Sequence, residues 1–513
     1  MPTGDEMISA LQALGLEPSL PAPQRKEGSG PYRKLVIKNA TVIDGTGAPA
    51  FGPADIVIEN DRITTMPVFA FTDRLEQDSG DHEIDATGKY VLPGFIDAHV
   101  HVGMPFPPGA EQPSEYIFKL WMAHGVTTVR EAGCLNGLGW TREHERRSAA
   151  NEITAPRIHP YPLPWIMGYG FGPAAPDEVE VWLDEMVGTG VKGVKTFGGP
   201  PALCRALLSG AKERGLRSAC HNTVLFAPRT PSLDLVKMGL TSLEHPLGLV
   251  ESLVPDAGGV VPYPQDYNHN DEQARAYQDG VIWLRTDPGG PLWEEALNLM
   301  LEHDFTLVPT FTPWEHGRDI QRALWAEWHE KYTLPALWQF FMPLPGNHWA
   351  FYRDWTTTME IEYAKGFRVW LRFVNDYKNR GGRVCAGSDV GFGLKLYGFE
   401  YIRELELLQE AGFHPLEVIR AATLKGAELL GVDDEFGSIE VGKKADLVIV
   451  DENPLSNLKT LYGTGHMRYN SATNTVDRVG GVLMVIKDGI VYDAKQLLAD
   501  AADRVAREKE TPG

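Results

Sequence analysis

Cysteine is scarce in this 513-residue chain: Cys134, Cys204, Cys220 and Cys385 lie far apart, never in C-x-x-C spacing. That argues against a disulfide framework or a zinc ribbon and fits a reducing compartment. Positive charge is also short. Lys and Arg total 48 against 69 Asp and Glu, a formal net charge of −21, so phosphate backbones and anionic lipid are repelled. Neither nucleic acid nor a membrane surface is an expected partner. No run approaches 18 uninterrupted apolar residues, and no membrane span is expected. The opening MPTGDEMISALQALGLEPSL lacks a basic stretch ahead of an apolar core, so it does not read as a secretory signal and a cytoplasmic location is expected. Glycine-rich segments occur at 169–173 and 391–393, but without a G-x-x-x-x-G-K-[ST] pattern they do not support phosphate cradling. What remains, 43% hydrophobic and 23% charged residues, is ordinary globular composition, which excludes disorder and collagen-like repeats.

Residues 1–31 read as a short amphipathic helix and a Pro/Gly/Ser-bearing linker. Beyond them, LVIKNATVIDGTG and ADIVIENDRITTM are β-branched runs broken by turn residues. The same strand chemistry returns only near the end, in ADLVIVDENP and VLMVIKDGIVYDA. Two strand-rich ends around a long middle predict one small β-sandwich domain, 32–92 plus 432–495, built from both termini, with a helix or tail at 496–513.

The middle, 93–431, alternates eight short apolar runs with helix-length segments: VLPGFIDAHV, VTTVREAG, RIHPYPL, VKGVKTFGG, LRSACHN, TSLEHPLG, FTLVPTF and RVCAGSDVG. That alternation predicts an α/β fold, a (β/α)₈ TIM barrel, whose chemistry sits at the C-terminal ends of the strands. An insert at about 255–375 breaks the rhythm and holds nine of the thirteen tryptophans, Trp283, Trp293, Trp314, Trp325, Trp328, Trp338, Trp349, Trp355 and Trp370. It reads as extra helices capping the barrel mouth, although any single tryptophan is more often core.

Polar residues that close apolar strands are the candidates for chemistry. His99 and His101, two apart on an extended strand, point to the same face and can reach one metal. Lys195, His221 and His245 end later strands in the same manner, and Asp389 ends the last. A strand-end Asp often only caps the next helix. Three weaker candidates for substrate contact are Trp314, His316 just beyond FTLVPTFTPW, and Arg130, for which a structural salt bridge is the favoured role.

Taken together, PGFIDAHVH followed by a strand-end Lys, His, His and Asp resembles the amidohydrolase superfamily. HPLEVIRAATLKGAELLG and the tail GSIEVGKKADLVIVDENPL are similar to the same hydrolases, and the Lys in GVKTFGG resembles the prolidase-like group, which includes ochratoxin-hydrolysing amidases. The resemblance covers about 32–495 and implies a metal-bearing barrel flanked by a composite β-sandwich. It implies that His99, His101 and Asp389 bind a more buried metal and that His221 and His245 bind a more exposed one. Lys195 would bridge the two as a CO₂-derived carbamate. An ammonium would repel two cations and a neutral amine offers a single lone pair, whereas a carbamate is an anionic, two-oxygen bridge. Zn²⁺ suits such N/O ligation, as do Co²⁺, Mn²⁺ and Fe²⁺.

Two such cations make hydroxide available near neutral pH, and Asp389 would carry a proton from water to the leaving nitrogen. The expected function is hydrolysis of an amide bond in a small molecule, such as a dipeptide, an N-acyl amino acid or an aromatic amide, by a homo-oligomer. A mononuclear deaminase is the alternative; such relatives carry a Glu three residues after the fifth-strand His, where this chain reads His221-Asn222-Thr223-Val224. Ester, lactone or phosphotriester hydrolysis uses the same attack. A non-catalytic barrel is the remaining reading.

Overall fold

The computed structural model describes residues 15–68, 79–108, 110–164, 172–254, 271–342, 344, 352 and 354–510. The expected helix over the first residues and most of the 169–173 loop lie outside them. Eighteen strands organise the described residues.

Five come before the barrel: β1 (Leu35–Val42), β2 (Phe51–Glu59), β3 (Arg62–Thr65), β4 (His82–Asp85) and β5 (Tyr90–Pro93). Eight form the barrel: β6 (Phe95–Val100), β7 (Val126–Gly133), β8 (Arg157–Pro162), β9 (Gly193–Thr196), β10 (Arg217–Cys220), β11 (Ser242–Glu244), β12 (Thr306–Val308) and β13 (Arg383–Val384). After it come β14 (Leu447–Val450), a hairpin of β15 (His466–Asn470) and β16 (Thr475–Val479), then β17 (Val482–Lys487) and β18 (Ile490–Asp493).

The terminal strands join in one eight-stranded sheet of order β18-β17-β14-β5-β1-β2-β3, with β4 pairing parallel to β1. The seam between the chain's two ends is the antiparallel pair β5–β14, in which Leu447 faces Pro93 and Val450 faces Tyr90. Alternate residues of these strands, among them Leu35, Ile37, Ile56, Ile58, Leu447 and Ile449, form a core of their own. The expectation of one β domain made from both ends therefore holds, as a single mixed sheet.

All eight apolar runs of the middle are barrel strands. Their hydrogen bonding gives two parallel arcs, β6-β7-β8 and β9-β10-β11-β12-β13. The first arc meets the second where β8 packs beside β9. On the other side, the amide of Ala98 donates to the carbonyl of Ala386 at 2.9 Å and that of Asp389 to His99 at 2.8 Å. Every residue of β6 and β7 is buried, Asp97, His99, Arg130 and Glu131 included, so neither strand alternates between a core face and a solvent face. The intervening helices start and stop as the sequence suggests. Pro176–Thr189 has proline at its first turn and ends on Gly190 at φ 81°; Pro201–Glu213 is followed by Gly215 at φ 70°.

The stretch expected to be a linker is instead pinned along the barrel. Glu17 exchanges backbone hydrogen bonds with Phe106, and Glu27 pairs with Lys119, which also meets Glu115 and Asp500 on the C-terminal helix Ala494–Glu510. Among the described residues no helix is long and apolar enough to cross a membrane.

Within the insert, Glu272–Val281 packs on the long helix Thr357–Asn379. Of its tryptophans, several are core, as any single one was expected to be. Trp283, Trp293 and Trp370 are buried core, Trp328 stacks on Phe399 and Tyr462, and Trp325 is 81% exposed at the surface. Trp349 lies outside the described residues. Trp314 does face the barrel mouth.

Candidate metal centre

β6 delivers His99 and, one residue beyond its end, His101. Lys195 lies within β9, opposite Ala219 of β10. His221 and His245 each follow the last residue of their strand, and Asp389 stands five residues beyond β13. All six line one cavity of about 530 Å³ at the C-terminal ends of the strands. His99 and His101 stand edge to face with ring centroids 5.4 Å apart, His245 is 5.0 Å from His99, and His221 is 4.6 Å from His245.

The donor atoms suit a metal. Nε2 of His99 and Nε2 of His101 each lie 3.3 Å from Oδ1 of Asp389. Ligands held about 2.0–2.1 Å from one tetrahedral ion would stand roughly 3.3 Å apart. One ligand atom from each of His99, His245 and Asp389 also falls within 4.8 Å of the others. His245 therefore stands between His99 and His221, within reach of either side of the cavity. Nζ of Lys195 is buried without a hydrogen-bond partner among the described residues. Such an orphaned group in a cavity is what an absent ligand would satisfy.

Burial also sets the protonation states. Desolvation lowers the imidazoles of His99, His101 and His245 and brings His221 down to about 3, so these rings are neutral and offer lone pairs. It lowers Lys195 to about 8, which leaves an appreciable share of neutral amine near physiological pH. Burial alone would raise Asp389. Lys395, His101 and His99 outweigh it and hold that carboxyl well below the usual range.

Of the residues that hold this group in place, the sequence singles out Arg130 but not its partners. Nδ1 of His99 meets Oε2 of Glu244 at 2.6 Å, which directs Nε2 into the cavity. Arg130 anchors Glu244 through both carboxylate oxygens at 2.7 Å and also donates to Ser242 and to the carbonyl of Ala98. Desolvation works to raise Glu244, yet Arg130, Lys195 and His99 keep it well below the ordinary value. Arg130 is thus completely buried and spent on this network, the structural salt bridge preferred from the sequence over contact with a substrate carboxylate. Nδ1 of His245 meets the hydroxyl of Thr310. Asp97 takes hydrogen bonds from the amide (2.9 Å) and hydroxyl of Ser388, fixing the residue before Asp389. Three non-glycine residues here, His245, Thr310 and Asp389, hold φ of 67°, 46° and 50°. Strain of ~1–3 kcal/mol at each persists only where the surroundings enforce it.

Around the polar centre the wall is mainly apolar: Met104, Leu135, Phe197, Leu225, Leu247 and Phe392 among others. The insert adds Arg275, Ala276, Asp279, Pro313, Trp314 and Tyr352. Trp314 therefore lies where the sequence placed it, with its ring 6.4 Å from that of His245. His316 does not: it is buried and, among the described residues, is not one of those lining the cavity.

The model of the amidohydrolase family matches residues 371–491, which include Asp389. The dihydroorotase of a Thermoanaerobacter species is 47% identical over 72 residues, 14% of this chain and 15% of that protein's length. A putative prolidase from Bifidobacterium longum shares the fold with a TM-score of 0.60, over 92% of this chain and 99% of that one, at 20% identity. The ochratoxinase of A. niger does so with a TM-score of 0.58, over 90% and 96%, at 16% identity. At such identities the two structures speak for architecture alone. The chain is thus similar to the amidohydrolase family over residues 371–491, spans about one-seventh of the length of the dihydroorotase it matches, and shares its overall fold with the two solved structures.

Proposed function

We propose that this chain is a metal-dependent hydrolase that cleaves an amide C–N bond in a small molecule with a large apolar limb. The observation that carries this is the convergence of His99, His101, Lys195, His221, His245 and Asp389 on one cavity, with Nε2 of two histidines at ligand–ligand distance from one oxygen of Asp389. Two divalent ions, zinc foremost and Co²⁺, Mn²⁺ or Fe²⁺ in its place, fit this donor set. His99, His101 and Asp389 would hold one, His221 and His245 the other, and Lys195 as a carbamate would join them. When bound, such ions polarise a carbonyl and ionise water near neutral pH.

The chain's own groups do the rest. Neutral imidazoles supply lone pairs without adding charge, and the lowered Lys195 amine can take up CO₂. Asp389 accepts the proton of the attacking water and returns it to the leaving nitrogen, since an amine is expelled readily only once protonated. Phe197, Leu225, Leu247, Trp314 and Phe392 exclude water and seat the apolar limb, at about 0.8 kcal/mol per buried methylene. Val224, three residues after His221, lines the cavity where a deaminase of this type would need a proton-carrying Glu, which counts against deamination. The names of the fold relatives, a prolidase and an ochratoxinase, agree with amide cleavage. We also expect the active form to be a cytoplasmic homo-oligomer, which light scattering of the purified chain checks.

The test is a screen of metal-loaded protein against N-acyl amino acids, dipeptides and aryl amides, with products identified by mass. Amine release from one of these classes, rising with metal content, is expected. Loss of ammonia from an aminated ring, with no amide turnover, would contradict the reading.

A further inference from the structure

The two oxygens of Asp389 face different partners. Oδ1 lies 3.3 Å from Nε2 of both His99 and His101, while Oδ2 accepts a hydrogen bond from Nζ of Lys395 at 3.2 Å. Lys395 is completely buried and is not among the residues lining the cavity; its hydrogen bond reaches the site at Asp389, and its Nζ also lies 6.0 Å from the ring centroid of Phe392. A lysine nitrogen taken this far from water persists only where partners hold it. Buried Glu400 and Glu404 are also near enough to act on it electrostatically.

The loop is bent to bring it there. The amide of Gly391 donates to the carbonyl of Lys395 at 3.2 Å, and the amide of Lys395 donates to that of Phe392 at 3.0 Å. Gly391, Gly393 and Leu394 adopt φ of 98°, 40° and 63°, and Leu394 has no glycine-like freedom to do so cheaply. The same turn sets Phe392 edge-on to His101, with ring centroids 4.9 Å apart. One seven-residue segment thus presents a candidate ligand, packs against a second, and returns to support the first from behind.

We propose that Lys395 is a positioning residue that fixes the carboxylate of Asp389, so that Oδ1 alone is presented towards His99 and His101. This rests on the metal-centre reading above. Carboxylate rotation about the last side-chain bond of aspartate is soft. With Oδ2 engaged, turning the group would cost the Lys395 hydrogen bond. A metal beside the two histidines then meets one oxygen of Asp389, and the carboxylate does not swing to offer both.

The experiment titrates Co²⁺ alone into the metal-free full-length chain, reading visible absorption and affinity, and measures kcat and KM separately. Lys395→Met keeps the length and removes the donor; Lys395→Arg keeps donors. In Lys395→Met we expect shifted Co²⁺ bands, an affinity changed by ~10–100-fold and a fall in kcat larger than any change in KM. Lys395→Arg should retain the parent's bands. Should Lys395→Met fail to fold by circular dichroism, Lys395→Gln, whose shorter amide cannot reach Oδ2 in the same place, is read in the same way. A folded Met or Gln variant with the parent's spectrum, affinity and kcat would overturn the proposal. A parent that binds no Co²⁺ would overturn the metal-centre reading itself, which is a different result.

Discussion

His99 turns one ring nitrogen to Glu244, at 2.6 Å, and leaves the other facing Asp389 across the cavity. That single contact fixes the tautomer of a histidine that the sequence identifies only as a ligand candidate. Because Glu244 is in turn clamped by Arg130, the orientation of His99 depends on two fully buried charges.

Removing one of those charges should therefore cost more than a surface ion pair. Glu244→Ala leaves the Arg130 guanidinium buried without its main partner, and breaking such a pair typically costs about 3–5 kcal/mol. Freed of its acceptor, His99 should also bind metal ~10–100-fold more weakly. Chemical denaturation and a metal titration check the two effects. Wild-type stability and wild-type affinity in a folded Glu244→Ala protein would show that the network is not holding the ligand.

Substrate preference should answer to Trp314 and not to Trp325. Trp314 lines the cavity, whereas Trp325 is 81% exposed on the surface. Trp314→Ala is expected to lower kcat/KM for bulky apolar amides by roughly 10-fold or more while changing acetyl amides little, with metal content intact. Trp325→Ala should leave every ratio unchanged. Equal scaling of all substrates by Trp314→Ala would contradict its role as a wall.

How far the sequence could be read depends on whether a signal is local. The strand runs and their polar ends are local: H-x-H at spacing two, and Lys195, His221 and His245 each closing an apolar run, give the barrel and its candidate ligands directly. Glu244 and Arg130 carry a weaker local sign, a charge inside an otherwise apolar strand. Their meaning lies in pairing with each other across 114 residues, which periodicity does not report. Lys395 is less visible still, because a positive-φ turn rather than a repeat returns it to Asp389. The roles of the insert tryptophans are not legible for a different reason. Composition marks a helix-rich layer, but the same indole serves as core in Trp283, as wall in Trp314 and as surface in Trp325, and only packing separates these.

Acid should destabilise the chain partly through Glu315. Burial by itself would raise this carboxyl, but Arg403, with Arg322 and Arg318, overrides it and brings it down to about 2. A group lowered in the folded state contributes stability that is present above the unfolded value of ~4.3 and fades as pH falls towards 2. A shift of this size corresponds to about 3 kcal/mol at neutral pH. Glu315→Gln should thus be less stable than the parent at pH 7, and the gap should narrow between pH 5 and pH 2.5. A gap that is constant over that window, measured by denaturant melts, would refute the assignment.

Asp389→Asn keeps the size and one oxygen but cannot carry a proton. Turnover of an amide should fall by ~10²–10⁴-fold at saturating metal. An ester of the same acyl group should suffer less, because its leaving oxygen needs less protonation. Amide turnover near the parent's, with metal bound, would assign the proton transfer to another group.

The account stands most directly on the number of metal ions held by the six converging residues. Metal-free protein loaded with excess Zn²⁺ in the presence of bicarbonate, freed of unbound ion and assayed by elemental analysis, should contain two per chain. Lys195→Ala should drop below two, with partial recovery of activity on adding a short carboxylate. A fully active parent that saturates at one ion, or a Lys195→Ala protein that still holds two, would contradict the two-metal centre.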